Sequence, residues 1–128
     1  MEDGWTFVTQ RMCLARDTGH HGILFGGVML QWLDEAGALF AEAETRADKL
    51  VTRALDAMEF IHPVAVTENV KFYCKVERRG RTSIRIRVKA FVERFRDASF
   101  DPSPVTDACM TFVSVDSEGN PAAIPWEA

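Results

Sequence analysis

Hydrophobic and polar residues repeat along this chain with two different periods, and the first is that of an α-helix. Over residues 26–44 a narrow polar stripe follows one side, and its members are Gln31, Glu35, Ala38 and Glu42. Apolar side chains fill much of the remaining circumference, so such a helix must be largely buried. We predict one long helix from Gly26-Gly27 to about Glu44. Gly37 within it costs about 1 kcal/mol relative to alanine, which predicts close packing against another backbone.

The second period, two residues, is that of β-strands. It is clearest after residue 82, where Ile84, Ile86, Val88, Ala90 and Val92 alternate with Arg85, Arg87, Lys89, Phe91 and Glu93. One face of this strand is apolar and the other mostly polar, as in an antiparallel sheet that is covered on one side. The predicted strands are residues 5–15, 51–60, 70–77, 83–95 and 105–115. A turn at Arg79-Gly80-Arg81 and a break at 101–104 separate the last three.

The order of elements is one strand, one long helix and then four strands. This order lacks the alternation of a parallel α/β fold and favours an α+β fold, in which an antiparallel sheet curls around one helix. A single helix cannot cover five strands completely, so we expect self-association through a sheet edge. The 128 residues are the usual size of one domain, and we assign residues 1–128 to it.

Composition narrows the function classes. The net charge of -4 argues against a nucleic-acid-binding protein. The acidic N-terminus lacks the apolar run of a signal peptide, and no stretch is apolar enough for a membrane helix, which predicts a cytoplasmic protein without a membrane partner. The three cysteines, Cys13, Cys74 and Cys109, are far apart and form no CxxC motif. We interpret them as reduced core thiols.

Four features carry candidate chemistry, and each has a plainer interpretation. Gly26-Gly27 is either a flexible turn or a place where free helix-start N–H groups meet a ligand oxygen, as in an oxyanion hole. Asp34, two turns into the helix, is either a surface carboxylate or a partly desolvated one that is suited to acid–base or covalent work. The adjacent His20 and His21 are either loop residues without a role or a polar lining near a reacting group.

The fourth feature is the basic segment, formed by Arg78, Arg79, Arg81, Arg85, Arg87 and Lys89. It is either a solvated strand face or a surface that holds a phosphorylated ligand. Two adjacent histidines do not readily face one metal ion, and no other cluster of His, Cys and Asp has ligand spacing. The sequence therefore predicts no metal site.

Three ordered motifs resemble those of the acyl-CoA hydrolases, the family of hotdog-fold acyl-CoA thioesterases. HGILFGGVMLQWLDEAG resembles the helix-entry motif N-x-x-G-x-x-F/H-G-G, which is followed by an aspartate on the helix. Val51-Thr52 and residues 58–66 resemble the signature V-T…M-x-F-x-x-P-V-x-V-G-D. Residues 79–83 resemble a K/R-G-x-T-S turn. The resemblance extends from about Asp17 to Val92.

The resemblance implies a hotdog fold, dimers with the active site at their interface, and frequent assembly into hexamers as trimers of dimers. It implies hydrolysis of acyl-CoA to a free acid and CoA, with no cofactor besides the CoA thioester itself. The family's catalytic carboxylate, a general base or nucleophile, falls on Asp34, and its helix-start amide falls near Gly27, beside Phe25 and Gly26. The CoA-binding turn falls on Gly80, Thr82 and Ser83, with Arg79 and Arg81 meeting the phosphates.

Two positions depart from the family pattern. The loop asparagine of the family aligns with Gly19, and His20 and His21 are the candidates to replace it. The family's V-G-D aligns with Val66-Thr67-Glu68. These departures keep two other functions open: a hotdog dehydratase or hydratase that uses a histidine, and a non-catalytic protein that binds acyl-CoA.

Overall fold

A computed structural model describes residues 4–93 and 102–126 of the chain. The elements are β1 (Thr6–Met12), a short 3-10 turn (Ala15–Asp17), α1 (Gly26–Thr45), β2 (Leu50–Phe60), β3 (Asn69–Arg79), β4 (Ser83–Glu93) and β5 (Pro102–Ser114). The strands form one sheet in the order β1-β3-β4-β5-β2, and every neighbouring pair is antiparallel. The predicted α+β fold, with one helix against a five-stranded antiparallel sheet, is confirmed.

Helix α1 packs against the inner face of the sheet because its apolar side matches the dry faces of β3, β4 and β5. Leu33, Ala36 and Phe40 of the helix are buried against a layer that includes Phe72, Ile86 and Phe112. The predicted alternation in β4 is confirmed, since its residues alternate strictly between buried and half-buried. The helix is less enclosed than its composition predicted, since the side chain of Leu39 is 54% exposed.

Gly37 allows the closest approach between helix and sheet. A Cβ atom at this position would lie 2.8 Å from Sδ of Met110 and 3.2 Å from both Cδ1 of Ile86 and Cε2 of Phe112. The prediction of close packing is right, but the prediction that a backbone is the neighbour is wrong. Side chains of β4 and β5 occupy this space instead.

The last strand begins earlier than predicted. The proposed break at 101–104 is wrong for the described residues, because Pro102 pairs with Glu93 and Pro104 with Phe91. Proline is tolerated at the start of a strand and near irregularities, and the register shifts between Ala90 and Phe91. Phe95 of the predicted 83–95 strand lies outside the described residues.

Strand β2 lies at one edge of the sheet and pairs with β5 alone among the described strands. Its pairing with β5 is irregular between Thr52 and Ala54 and again between Asp56 and Glu59, and Ala57 has a positive φ of 47°. Val51, Thr52 and Arg53 are exposed. The edge with its exposed polar backbone groups is the kind of surface on which another chain can pair.

Candidate active site

The site begins at the first turn of α1, where two backbone donors are free. Phe25 precedes the helix in an extended conformation, and its carbonyl accepts the N–H groups of Val28 and Met29 at 3.0 and 3.2 Å. Within residues 4–93 and 102–126, the N–H groups of Gly26 and Gly27 donate no hydrogen bond. Such donors, at the positive end of a long helix, favour a negatively charged or polarised oxygen.

Position 27 is a glycine because a side chain there would collide with Phe25. A Cβ atom there would lie 2.9 Å from Cε2 of the Phe25 ring, which folds over the helix start. A Cβ atom at Gly26 would lie 3.6 Å from Cζ of the Phe60 ring. Because both positions lack side chains, a ligand oxygen can approach their N–H groups closely.

The loop before the helix is held by its own backbone. The N–H of Phe25 donates to the carbonyl of Asp17 at 2.9 Å, and the N–H of Gly19 donates to that of Ile23 at 3.0 Å. His20 and His21 are exposed within this loop, with ring centroids 6.5 Å apart. A Cβ atom at Gly19 would meet the Phe25 ring at 3.5 Å. Position 19, rather than either histidine, therefore faces the residue that covers the helix start.

An apolar cavity of about 350 Å³ adjoins the helix start. Gly26 and Met29 form its helix side, and the last residue of β2, Phe60, lines it together with Ile61 and His62, which follow the strand. Neither His20 nor His21 lines it. His62, which the sequence analysis included only as a letter of the family signature, is thus the histidine that borders this cavity. Its position two residues after the predicted 51–60 strand was the signal that could have identified it.

Asp34 lies on an exposed side of α1 and is held by a residue of β2. The hydroxyl of Thr52 donates to Oδ1 of Asp34 at 2.7 Å. Both residues are exposed in the single chain. Sequence reasoning assigned no role to Thr52, although the V-T pair of the signature contained it. The bond fixes one carboxylate oxygen, and Oδ2 accepts no hydrogen bond from residues 4–93 and 102–126.

Asp34 and Gly27 of one chain are too far apart to act on the same atom. They are seven residues apart on one helix, and a rise of 1.5 Å per residue separates them by about 10 Å along its axis. A hydrogen bond to a carbonyl oxygen and attack on its carbon both require contact distances. In a single chain the Asp34 carboxylate and the Gly27 amide are therefore separated by about 10 Å along the helix axis and do not converge on one atom.

The predicted CoA turn is a tight connection between β3 and β4. The N–H of Gly80 donates to the carbonyl of Ser83 at 2.8 Å, and a Cβ atom at Gly80 would lie 2.6 Å from Oγ of Ser83. The carbonyl of Thr82 accepts the N–H of Ser114 at 2.8 Å. These bonds hold the turn at the end of the sheet where β5 ends.

The basic segment divides into paired strand residues and a free turn residue. Arg85 binds the carboxylates of Asp56 and Glu77, and Arg87 binds Asp107 at 3.1 Å. Hydrogen bonds from Arg85 hold the pKa of Asp56 below its usual value. The exposed side chain of Arg81 makes no hydrogen bond or ion pair within the described residues. Carboxylates therefore neutralise Arg85 and Arg87 on the strand, whereas the turn keeps an available cation in Arg81.

Within the described part of the chain, no group of three or more His, Cys, Asp and Glu side chains is placed to hold a metal ion. No helix of residues 4–93 and 102–126 is long and apolar enough to cross a membrane. All three cysteines are free and buried.

One long helix packed against a curled five-stranded antiparallel sheet is the hotdog fold, and free amides at the start of that helix suit a protein that polarises a carbonyl group. The family model of the Thioesterase superfamily matches residues 21–97, more than half of the 128 residues. The chain belongs to this superfamily, and the predicted family resemblance is confirmed.

Relatives are similar to this protein over almost the whole chain. An uncharacterized acyl-CoA thioester hydrolase of Haemophilus influenzae is 35% identical over 117 residues, which are 91% of this chain and 75% of that protein. The acyl-CoA thioester hydrolase YciA of Escherichia coli is 31% identical over 121 residues, 94% of this chain and 91% of that protein. The crystal structure of a hexameric thioesterase from Yersinia pestis superposes with a TM-score of 0.88 at 30% identity, covering 99% of this chain and 100% of that one.

Proposed function

We propose that this protein is an acyl-CoA thioesterase, which hydrolyses acyl-CoA to a carboxylic acid and CoA. The observation that carries the proposal is the pair of N–H groups at Gly26 and Gly27, which donate to no described residue and lie beside an apolar cavity of about 350 Å³. Membership of the Thioesterase superfamily and similarity to two acyl-CoA thioester hydrolases support it.

The Gly27 N–H is the group that polarises the thioester. It lies at the positive end of α1 and has no partner among the described residues. During attack the carbonyl oxygen gains negative charge, and a prearranged amide stabilises that charge without reorganising. The alkyl part of the substrate then extends into the cavity, whose walls include Met29, Phe60 and Ile61.

Asp34 supplies the second half of the chemistry, from a partner subunit. Because about 10 Å of helix separates it from Gly27 of its own chain, a complete site needs the amide of one protomer and the carboxylate of another. The unpaired edge of β2, with Thr52 exposed beside Asp34, is where we place the dimer contact. Three such dimers would give the hexamer seen for the similar Yersinia pestis thioesterase.

Hydrolysis needs water as its only second reactant, and the Asp34 carboxylate acts either as a general base or as a nucleophile. As a general base, Asp34 takes a proton from water, the resulting hydroxide adds to the carbonyl carbon, and the C–S bond breaks. The CoA thiolate then receives the proton. As a nucleophile, Asp34 bonds to the carbonyl carbon and the C–S bond breaks, which releases the CoA thiolate; water then cleaves the acyl-carboxylate anhydride to the acid and Asp34, and its proton passes to the thiolate. In both routes Thr52 holds Oδ1, so the second oxygen is the reacting one.

The nucleotide end of CoA meets the β3–β4 turn in this proposal. Arg81 projects from the turn without a partner among the described residues, and Arg79 is its neighbour on the same turn. Guanidinium groups bind phosphate oxygens through charge-assisted hydrogen bonds. Gly80, Thr82 and Ser83 supply backbone and hydroxyl groups beside them.

The test is thiol release from a panel of acyl-CoAs of increasing chain length, beside hydration of an enoyl-CoA and direct binding of an acyl-CoA. We expect thiol release with several members of the panel. Hydration without thiol release would indicate a hydratase, for which His62 would be the nearest histidine to the cavity. Binding without either reaction would indicate a non-catalytic acyl-CoA-binding protein.

A further inference from the structure

The C-terminal segment, residues 115–126, returns across the turn that joins β3 and β4. A β-bridge between Val115 and Pro121 reverses the chain, and the N–H of Ala122 donates to the carbonyl of Ser114 at 2.8 Å. The N–H of Ile124 then donates to the carbonyl of Arg81 at 2.8 Å, and its side chain is buried. The segment is thus anchored before it reaches Trp126.

Trp126 contacts the turn twice. Its indole Nε1–H donates to the carbonyl of Gly80 at 2.8 Å. The guanidinium carbon of Arg79 lies 5.2 Å from the centroid of the indole ring, within the range of a cation–π contact. One side chain therefore fixes both the backbone of the turn and its first cation.

Arg79 is restrained from a second side by the end of α1. Its Nη2 lies 3.8 Å from Oε2 of Glu44, and its side chain remains 60% exposed. A pair at this distance orients the guanidinium but leaves most of its donors open to solvent. An exposed arginine normally loses rotamer freedom when it binds a ligand, and prior restraint removes much of that cost.

We propose that Trp126 is a positioning residue for the CoA nucleotide: it holds the β3–β4 turn and Arg79 in the conformation that receives the phosphates. This inference rests on the proposed function. Trp126 lies outside the turn motif of residues 79–83. Because it acts on the groups that bind the nucleotide, its loss should affect only substrates that carry the nucleotide.

The experiment compares an acyl-CoA with the N-acetylcysteamine thioester of the same acyl group, which lacks the nucleotide. Trp126→Ala removes the hydrogen bond and the ring, and we expect KM for acyl-CoA to rise about tenfold at unchanged kcat. Trp126→Phe retains the ring and loses only the N–H, and should raise KM about threefold. Neither variant should change kcat/KM for the short thioester.

Trp5→Ala is the matched control, because the Trp5 ring also contacts cations. Nζ of Lys89 lies 4.8 Å from its centroid, on the outer face of the sheet and away from the turn. This variant should leave KM for both substrates unchanged. An equal loss on both substrates in Trp126→Ala would overturn the proposal in favour of a general structural role, and so would no loss on either.

Different experimental results would disprove the proposed function and the role of Trp126. If the wild-type protein hydrolyses neither thioester, the proposed function is wrong, and calorimetric titration with CoA still tests Trp126. We expect Trp126→Ala to weaken CoA binding about tenfold. Equal affinity in the two proteins, or no binding by the wild type, would overturn the inference.

Discussion

The hydroxyl of Thr52 donates a 2.7 Å hydrogen bond to Oδ1 of Asp34, joining the edge strand β2 to the exposed side of α1. The two residues are 18 positions apart in the chain. This bond gives the carboxylate a defined orientation although it is exposed in the single chain. A reacting carboxylate needs this restraint, because general-base and nucleophilic attack both depend on geometry.

Removal of the Thr52 hydroxyl should therefore slow turnover. For Thr52→Val we expect kcat on acyl-CoA to fall about 10- to 100-fold, since a hydrogen bond to a charged group contributes about 1.5–3 kcal/mol. Thr52→Ser retains the hydroxyl and should keep most of the activity. Steady-state thiol release measures both variants. Wild-type kcat in Thr52→Val would show that this bond has no part in the reaction.

Arg81 should affect the nucleotide end of the substrate alone. For Arg81→Ala we expect KM for acyl-CoA to rise about tenfold, because a charge-assisted contact to phosphate is lost, with kcat unchanged. The difference from wild type should shrink as salt concentration increases. Arg87→Ala serves as the control, since Arg87 is already paired with Asp107. If the two variants change KM equally, the free cation of the turn has no special role.

The substitution Gly37→Ala has two opposing effects on the free energy of unfolding, a gain in helix propensity and a loss from overpacking. Alanine favours the helix by about 1 kcal/mol, but its Cβ would lie 2.8 Å from Met110 and 3.2 Å from Ile86. Overpacking of this kind costs about 1–3 kcal/mol, so we expect a net loss of about 1 kcal/mol. Urea unfolding at fixed protein concentration measures it. Ala43→Gly, on an exposed turn of the same helix, is the control and measures the effect of helix propensity alone. A Gly37→Ala protein that is more stable than the wild type would contradict the packing argument.

The buried thiol of Cys74 should make the protein less stable in alkali. Burial raises its pKa from 9.0 to about 12, so above pH 9 the unfolded chain releases a proton that the folded chain keeps. The contribution of the protonated Cys74 thiol to the free energy of unfolding is fully present below pH 9. It is lost as the pH rises toward 12, by at most about 1.4 kcal/mol per pH unit. The free energy of unfolding of Cys74→Ala should fall less steeply over this window. Parallel curves for the two proteins would refute the assignment.

The sequence predicted those parts of the fold that depend on one strong period. Helix α1 ends at Thr45, one residue from the predicted end, because its polar stripe is narrow and continuous. The face of β4 followed directly from its alternation. Strand β2 carried a weaker pattern, since seven of its eleven residues are exposed and its register shifts twice. Its edge position arises from pairing with β5, which lies about 50 residues further along the chain and leaves no local signal.

The candidate site was predictable as a set of motifs but not as a set of contacts. Asp34 and Gly27 were candidates from the residues alone, the resemblance implied a role for each, and those roles stay proposals. The bond from Thr52 to Asp34 depends on how β2 lies beside α1, which no local pattern specifies. His20 and His21 were predicted to be either loop residues without a role or a polar lining near the reacting group, and of the three histidines it is His62 that lines the cavity. Trp126 reaches Gly80 only because the C-terminal segment folds back across the sheet.

The most direct test of the proposed activity is single-site replacement of Asp34 by asparagine, which keeps the shape of the side chain and removes its charge. We predict that Asp34→Asn loses at least about 100-fold in kcat for thiol release from acyl-CoA. Its KM for acyl-CoA and its far-UV circular dichroism should match those of the wild type. Full thiol release by Asp34→Asn would contradict the assignment of Asp34 as the reacting carboxylate.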